Sequence, residues 1–319
     1  MYTPNPLQRR RLFILGLGSQ GKAWAQNWRD QKLPFQILLR EKSSTIQEAK
    51  KLELPVTLFN EWRPEPNDIF IMLIPDHTHK NVLAFFAQQG GDIPLTFIYA
   101  HGVSYTQYNW NQVYPAWSHL LLAPKAIASE VRANYLSHEP LAAVYSTEGS
   151  IAHDAKELVF FLAGQLGINQ GPFKSTFREE TLADLFSEQA LLCSLLPYGA
   201  RLIFEKMVER GISREVAYLE CWREVKLIAD AMIKFGPENF HRLISPNALY
   251  GGEKARHVIF DKSFHDKLDT LAADIWSGSF FNEVMDQDLD ALRQSVIADW
   301  SSTTLAQTHK AMEKKGVDL

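Results

Sequence analysis

Cysteine is scarce in this chain, and long apolar runs are absent. The 319 residues include two cysteines, Cys193 and Cys221. So few cysteines exclude a disulfide framework and favour a reducing compartment, so we expect a cytoplasmic protein. A membrane-spanning helix needs an apolar stretch of about 18 residues, and none is present. The apolar run behind Arg9 to Arg11 is short and interrupted by glycines, so we expect neither a signal peptide nor a membrane partner.

An excess of either charge is also missing. The chain has 33 Lys and Arg residues against 37 Asp and Glu residues, with a net charge of −4 and a pI near 6.2. Without a basic surplus we expect no nucleic-acid partner. No internal repeat or low-complexity segment is visible. The 46% apolar content is ordinary for a globular protein, and the length is enough for two domains.

A glycine-rich motif follows the first apolar segment. Residues 11–15 read as a buried strand, the sequence Gly-Leu-Gly-Ser-Gln-Gly comes next, and a helical pattern follows. In that context the glycines allow a tight turn and a close approach of the backbone to a pyrophosphate. We predict a dinucleotide site; a glycine turn without a ligand is the alternative. The predicted contacts are Gly16, Gly18, Ser19, Gln20 and Gly21.

The residues after the second strand bear on the choice of dinucleotide. A site for NAD usually has an acid at the end of this strand, whereas here Arg40 follows residues 35–39. Arg40, Ser43 and Thr45 suit a 2′-phosphate, so we predict NADPH rather than NADH. Glu41 argues for NADH, and Ser43 to Thr45 could instead cap the next helix.

Further strands are predicted at 68–74, 94–100, 118–123 and 141–145, the last closing the sheet. Ligands bind at the carboxyl ends of such strands, so Pro75 and Asp76 are predicted cofactor contacts. His101 and Lys125 follow two other strands. A lone His or Lys in such a loop is usually structural or exposed, but two at neighbouring strand ends favour a catalytic role. We expect His77 and His79, near the start of a helix over 78–88, to be solvated rather than metal ligands.

The second half of the chain is helical in pattern and carries two acidic pairs. Asp184 and Glu188, and likewise Glu220 and Glu224, are four residues apart and lie on one helix face. Acids so placed repel one another, and divalent cations would relieve the repulsion. Four carboxylates on two helices could hold two Mg²⁺ ions; the alternative is two solvated faces. Five apolar residues are expected to pack on the other side of the first helix: Leu182, Leu185, Phe186, Leu191 and Leu192.

This pattern predicts an α/β protein with two domains. Residues 1–176 form an N-terminal Rossmann domain that binds NADPH. Residues 177–319 form an all-α domain that carries the predicted metal ligands.

Several motifs together resemble the ketol-acid reductoisomerase (acetohydroxyacid isomeroreductase) family. They are the glycine motif, Leu-Ile-Pro-Asp at 73–76, Ala-His-Gly at 100–102, Ala-Pro-Lys at 123–125, the two acidic segments at 178–189 and 217–228, and Ser245 with its following residues. The resemblance covers most of the chain and is to the short form. It implies a knotted helical domain and a homodimer, or a larger assembly, whose active sites are shared between chains.

The resemblance also implies a reaction and roles for residues. The substrate would be a 2-hydroxy-3-oxo acid such as 2-acetolactate, converted by alkyl migration and NADPH reduction into a 2,3-dihydroxy acid of branched-chain amino acid synthesis. Asp184 would bridge two Mg²⁺ ions and Glu188 would bind one. The partner chain would supply Glu220 and Glu224. The roles of the others would be proton handling by His101 and Lys125, substrate binding by Ser245, and 2′-phosphate binding by Arg40, Ser43 and Thr45.

Four segments depart from the family pattern beside these positions. Ala126 to Ser129 replace Gly-Pro-Gly-His, Ser194-Leu195 replaces Gly-Gly, Val103 replaces Phe, and Pro246 to Leu249 replace Asn-Thr-Ala-Glu. The first change removes glycines that tolerate positive φ. The changes indicate a divergent member with a different or larger substrate. A simple oxo-acid reductase and a non-catalytic nucleotide-binding protein are the alternatives.

Overall fold

The structure is a computed structural model that describes residues 6–316. The chain divides into two compact units between Leu182 and Ala183. The first unit contains a sheet covered by helices, and the described residues of the second unit are helical throughout, apart from their connections. This is the predicted order of an α/β Rossmann unit followed by a helical unit, and that prediction is confirmed; the knot stays a prediction.

Eight strands form one sheet in the order β3-β2-β1-β4-β5-β6-β7-β8. Neighbours are parallel except for β7, which is antiparallel to β6. β1 lies between β2 and β4, so β2 and β3 are added on one side of β1 and the strands from β4 onward on the other. Ligands bind at such a topological switch point. The strands are β1 (Leu12–Leu15), β2 (Gln36–Leu39), β3 (Val56–Leu58), β4 (Ile69–Met72), β5 (Thr96–Tyr99), β6 (Ser118–Pro124), β7 (Ala142–Gly149) and β8 (Gln170–Lys174).

The central strands are apolar on both faces because helices cover both faces. Side chains alternate, so Ile14 packs into one core with Trp24 and Trp28, while Phe13 packs into the opposite core with Phe86. The helices of this unit are α1 (Ser19–Asp30), α2 (Ile46–Lys51), α3 (His79–Gly90), α4 (Val103–Tyr108), α5 (Trp110–Val113), α6 (Ala128–Ser137) and α7 (Ala155–Leu166), with a 3₁₀ turn at Asp76–Thr78.

The remaining helices begin with α8 (Phe177–Ser187), which crosses the division between the units. A π-helical segment (Glu188–Leu195) joins α8 to α9 (Leu196–Glu209), and another (Leu219–Arg223) joins α10 (Arg214–Tyr218) to α11 (Glu224–Leu243). Helix α11 is interrupted at Gly236, which has a φ of 75° and precedes Pro237. The others are α12 (Pro246–Ile259), α13 (Lys262–Ser277), α14 (Ser279–Met285), α15 (Leu289–Ser302) and α16 (Thr304–Lys314).

The second unit has a small core of its own. Phe204, Tyr218, Leu305 and Met312 are its main buried residues. Helices α11, α12 and α15, all within the described part of the chain, have no buried residue. None of the described helices has the length and apolarity needed to cross a membrane.

Two expectations about packing are wrong. The strand at 141–145 does not close the sheet, because β8 pairs beyond it; β8 contains Gly and Pro and lacks an apolar run. Leu191 and Leu192 are not buried within the chain, since each is about half exposed (49% and 51%).

Candidate active site

The glycine motif forms the turn between β1 and α1, and its three glycines meet different surroundings. Gly16 has a φ of 85°, and a Cβ there would lie 2.7 Å from Ile74 Cγ2. A Cβ at Gly21 would lie 2.6 Å from the Gly16 carbonyl oxygen, whereas one at Gly18 would meet no described atom within 4 Å. Gly16 and Gly21 are therefore required by the fold, and Gly18 leaves open space for a ligand. This arrangement fits a dinucleotide.

The start of α1 adds two features to this turn. Gly18 is its N-cap residue and no described side chain caps the helix, so its first N–H groups are available to a phosphate. Ser19 is exposed, and Gln20 Nε2 donates to the Ala126 carbonyl at 3.2 Å. Gln20 thus joins the glycine turn to the segment after Lys125.

The residues predicted to bind the 2′-phosphate follow β2. Arg40 is exposed directly after the strand. The hydroxyls of Ser43 and Thr45 lie 2.8 Å apart, and Thr45 makes no side-chain cap bond to α2, which weakens the capping alternative. Glu41, which argued for NADH, accepts a hydrogen bond from Asn60 Nδ2.

Pro75 and Asp76 follow β4 as predicted, but one expectation beside them is wrong. Pro75 is exposed and Asp76 begins the 3₁₀ turn. His77 is exposed, whereas His79 is only 2% exposed because it lies in the first turn of α3 on the face that packs against the sheet.

A buried carboxylate joins the two strand-end residues His101 and Lys125. Glu180, in α8, is 3% exposed; its Oε1 accepts from Lys125 Nζ at 2.7 Å and its Oε2 from the Gly102 N–H at 2.7 Å. His101 Nδ1 lies 3.2 Å from Oε2. A Cβ at Gly102 would lie 2.6 Å from the Phe177 carbonyl oxygen, so glycine lets α8 approach the end of β5.

The electrostatics keep Glu180 ionised. Burial alone would raise its pKa, but the hydrogen bonds and charges of His101 and Lys125 outweigh burial and lower the pKa below 4.5. Because a carboxylate only accepts, the Nδ1 atom of His101 carries the hydrogen that points at Glu180. Glu180 is not among the site residues predicted from the sequence. Its signal was its position four residues before Asp184, which makes three acids at helical spacing.

All four predicted metal ligands lie in helical segments, as the sequence pattern predicts. Asp184 is one turn after Glu180 on α8, and Glu188 is one turn further, where the π-helical segment begins. Glu220 lies in the second π-helical segment and Glu224 begins α11; both are exposed. Such carboxylate oxygens fit Mg²⁺. Among residues 6–316, no cluster of three ligand atoms includes Glu188, Glu220 or Glu224.

The π-helical segments and the position of Ser245 bear on the predicted metal and substrate sites. Both acidic pairs adjoin π-helical segments, which are rare in proteins and frequent at functional sites. Ser245 is the exposed N-cap of α12, where its Oγ accepts from the Ala248 N–H at 3.2 Å.

Two family models match the chain and together cover most of it. The acetohydroxy acid isomeroreductase NADPH-binding domain matches residues 6–171, and the ketol-acid reductoisomerase C-terminal domain matches residues 177–318. Among curated proteins, the ketol-acid reductoisomerase (NADP(+)) of Helicobacter pylori is 33% identical over 287 residues, which is 88% of this chain and 84% of that protein. The Clostridioides difficile enzyme of the same name is 31% identical, over 86% and 83%.

Solved structures show the same fold. A ketol-acid reductoisomerase described as NADH-preferring, from an uncultured archaeon, has a TM-score of 0.82 at 23% identity and covers 97% of this chain and 95% of its own. A pyrroline carboxylate reductase from Plasmodium falciparum has a TM-score of 0.52 at 14% identity, over 83% and 97%. Taken with the family models and the curated relatives, this chain belongs to the ketol-acid reductoisomerase (acetohydroxy acid isomeroreductase) family.

Proposed function

We propose that this chain converts a 2-acetolactate-type acid into a 2,3-dihydroxy acid, with NADPH and two Mg²⁺ ions, in branched-chain amino acid synthesis. The observation that carries the proposal is the buried Glu180 carboxylate, which holds His101 and Lys125 together at the ends of two neighbouring strands. Burying charged groups costs folding free energy, so a buried charged cluster at strand ends indicates a functional role.

The first unit holds the cofactor in this proposal. Gly16 to Gly21 receive the pyrophosphate, Pro75 and Asp76 line the site, and Arg40, Ser43 and Thr45 bind the 2′-phosphate. The Arg40 guanidinium and the neighbouring hydroxyls of Ser43 and Thr45 support NADPH, because a cation and hydroxyl donors suit a phosphate. When bound, NADPH supplies the hydride.

His101 and Lys125 handle protons at the substrate. Glu180 orients the His101 ring through Nδ1, so that Nε2 is the atom that accepts or returns a proton. The ion pair with Glu180 fixes the Lys125 ammonium, which can stabilise a substrate oxyanion. Glu180 acts through these two groups and is a positioning residue.

The acidic pairs hold the metal ions. Asp184 and Glu188 come from one chain, and Glu220 and Glu224 come from its partner. Mg²⁺, when bound, polarises the hydroxyl and oxo oxygens of the substrate. Glu224 also contacts the substrate region, and Ser245 donates a hydrogen bond to the substrate.

A homodimer, or a larger assembly of dimers, completes the site. The described helices α11, α12 and α15 bury no residue within one chain, and apolar side chains such as Ile233, which is 84% exposed, cover them. Exposed apolar surface of this extent is typical of an oligomer interface. Residues 1–176 thus serve the cofactor, and residues 177–319 serve metal, substrate and dimerisation. Both cysteines are free, which supports the cytoplasm as the location.

The deciding experiment is NADPH oxidation with 2-acetolactate, with and without Mg²⁺. We expect turnover only with Mg²⁺. Asp184→Asn should abolish turnover and weaken Mg²⁺ binding, while the NADPH Kd stays within about twofold, because the substitution removes a metal ligand and leaves the glycine turn unchanged. Normal turnover by Asp184→Asn would refute the metal assignment. Glu179→Gln, an exposed neutralisation on the same helix, is the matched control.

A second candidate is a reductase that has lost isomerisation, or that takes a bulkier substrate. The loop after Lys125 favours it, because Ile127 stands in place of a family Pro and is 71% exposed. Reduction of 3-hydroxy-3-methyl-2-oxobutanoate, the product of methyl migration, without turnover of 2-acetolactate would establish a reductase alone. Turnover of 2-acetolactate itself would exclude it, and a panel of bulkier acids would then define the preferred alkyl group. Binding of NADPH without turnover of any acid would favour a non-catalytic homologue.

A further inference from the structure

The imidazole of His79 connects two loops that follow neighbouring strands of the first unit. The first loop, at 73–76, follows β4 and includes Pro75 and Asp76. The second follows β5 and carries His101. We infer that His79 is a positioning residue that fixes the first loop relative to the second, and so fixes the cofactor relative to His101. The inference rests on the proposed function.

Both ring nitrogens of His79 are engaged, one by the first loop and one by the start of α4, directly after the second loop. Nε2 lies 3.0 Å from the Ile74 carbonyl oxygen, and Nδ1 lies 2.6 Å from Ser104 Oγ. Because a carbonyl only accepts, Nε2 carries the hydrogen, and Nδ1 accepts from the Ser104 hydroxyl. A single neutral tautomer makes both bonds. Burial lowers the pKa of His79, in keeping with that neutral form.

On the cofactor side, His79 reaches the glycine turn through one further contact. The Ile74 carbonyl that it holds belongs to a residue whose Cγ2 packs against Gly16, in the position where a Cβ would clash at 2.7 Å. The Leu73 carbonyl oxygen is also close to this position, at 3.2 Å. A shift of the Ile74 backbone would therefore press on the glycine turn.

On the side of the second loop, the bond fixes the start of α4. Ser104 lies three residues after His101 and is fully buried. The intervening Gly102 is anchored by its N–H to Glu180. The segment from His101 to Ser104 thus has two fixed points, and His79 supplies the one that also holds the cofactor loop.

His79 could fill space in the core or position the two loops, and these two roles lead us to expect different effects of substitution. Filling space requires volume, which leucine supplies. Positioning requires a donor and an acceptor on one side chain, which glutamine supplies and leucine does not. The ring also packs near Tyr99, with centroids 5.7 Å apart, so loss of volume alone has a cost that needs a control. Leu83, a fully buried residue one turn later on α3, gives that control as Leu83→Ala.

The first test compares His79→Leu, His79→Gln, Ser104→Ala and Leu83→Ala in the full-length protein. NADPH Kd is measured by fluorescence titration, and kcat with 2-acetolactate. We expect His79→Leu to raise the Kd and lower kcat by about tenfold each, since a lost buried hydrogen bond has roughly that effect. Ser104→Ala should lower kcat with a smaller change in Kd, and His79→Gln should restore both to within about threefold. Leu83→Ala should lower the Tm without moving either.

A wild-type-like His79→Leu, or a Leu83→Ala variant that moves Kd and kcat as much, would overturn the inference. Amide hydrogen exchange of the free protein gives a second test, which does not depend on cofactor binding. His79→Leu should speed exchange in both loops, at 72–77 and 101–106, while Leu83→Ala should not. Unchanged exchange in both loops would overturn the inference. If the wild type itself failed to bind NADPH, the proposed function would fail, and hydrogen exchange would still decide the role of His79.

Discussion

The ammonium nitrogen of Lys125 lies 2.7 Å from a carboxylate oxygen of Glu180, although the two residues come from different elements 55 positions apart. Glu180 is almost fully buried, whereas the side chain of Lys125 is 36% exposed. The pair therefore forms at the edge of the core, with one member facing a region that a ligand can reach.

Glu180→Gln should disable the enzyme while leaving it folded. The amide keeps the shape of the carboxylate but removes its charge, so Lys125 loses its ion pair with Glu180 and His101 loses the negative charge beside its Nδ1 atom. We expect kcat to fall by at least about 100-fold. The free energy of unfolding should fall by about 1–3 kcal/mol, below the range for a fully buried pair because Lys125 is partly exposed. Steady-state kinetics and urea unfolding measure both. Glu179→Gln should behave like the wild type, and an active Glu180→Gln would remove Glu180 from the site.

Alanine substitutions of Gly18 and Gly21 should affect NADPH binding and folding stability differently. Gly18→Ala places its Cβ in open space, so the Tm should be unchanged while the NADPH Kd rises by at least about tenfold, because the methyl group occupies the path of the pyrophosphate. Gly21→Ala places its Cβ 2.6 Å from the Gly16 carbonyl oxygen and should lower the Tm as well. Calorimetry and fluorescence titration give the two readouts. A Gly18→Ala variant with normal NADPH affinity would show that no pyrophosphate approaches there.

Arg40→Ala should change the choice of cofactor. Loss of a charge-assisted contact to the 2′-phosphate, worth about 1.5–3 kcal/mol, should raise the NADPH KM by roughly ten- to one-hundred-fold and leave the NADH KM nearly unchanged. The ratio of kcat/KM for the two cofactors is the measurement. Lys51→Ala, an exposed cation at the end of α2, is the control. An unchanged NADPH KM would contradict the 2′-phosphate assignment.

His119 should make the first unit sensitive to acid. Burial lowers its pKa from 6.5 to about 3, and its Nδ1 lies 3.0 Å from the Tyr99 hydroxyl oxygen. The unfolded chain binds a proton below pH 6.5 while the folded chain does not until about pH 3, so stability is lost as the pH falls through that window. At pH 5 the loss is about 2 kcal/mol.

Urea unfolding of wild type and His119→Gln at pH 7.5 and pH 5 tests this. The difference in unfolding free energy between the two pH values should shrink in His119→Gln, which has no proton to take up. His153→Gln, at an exposed position, should show the same pH difference as the wild type. Equal differences in all three proteins would rule out His119 as the source.

Ile233→Glu should dissociate the proposed dimer. Ile233 lies on α11, is 84% exposed, and would place a charge in an apolar interface. Sedimentation should show a dimer or larger assembly for the wild type and a smaller species for the variant. Turnover should fall with dissociation, because Glu220 and Glu224 would no longer reach the partner's metal site. Glu238→Gln, an exposed change on the same helix, is the control. A monomeric but active wild type would exclude the shared site.

Local sequence patterns were enough to predict the order of the elements and the character of the two units. The apolar runs before Gly16, Arg40, Pro75 and His101 specify buried parallel strands, because each is long enough to cross a sheet and ends in a turn. The glycine motif and the helical spacing of Asp184 and Glu188 are local patterns, so no distant contact was needed to find them. Family membership was likewise readable from these motifs.

Which residues come into contact depends on how distant elements pack, and local patterns do not specify it. β3 is three residues long and β8 contains Gly and Pro, so pairing with a neighbour rather than local pattern makes them strands. The ion pair of Glu180 with Lys125 and the burial of His79 depend on packing between elements distant in sequence, which no local spacing specifies. The exposed apolar side chains of α11 follow the same principle, because one chain does not bury them and the proposed dimer would.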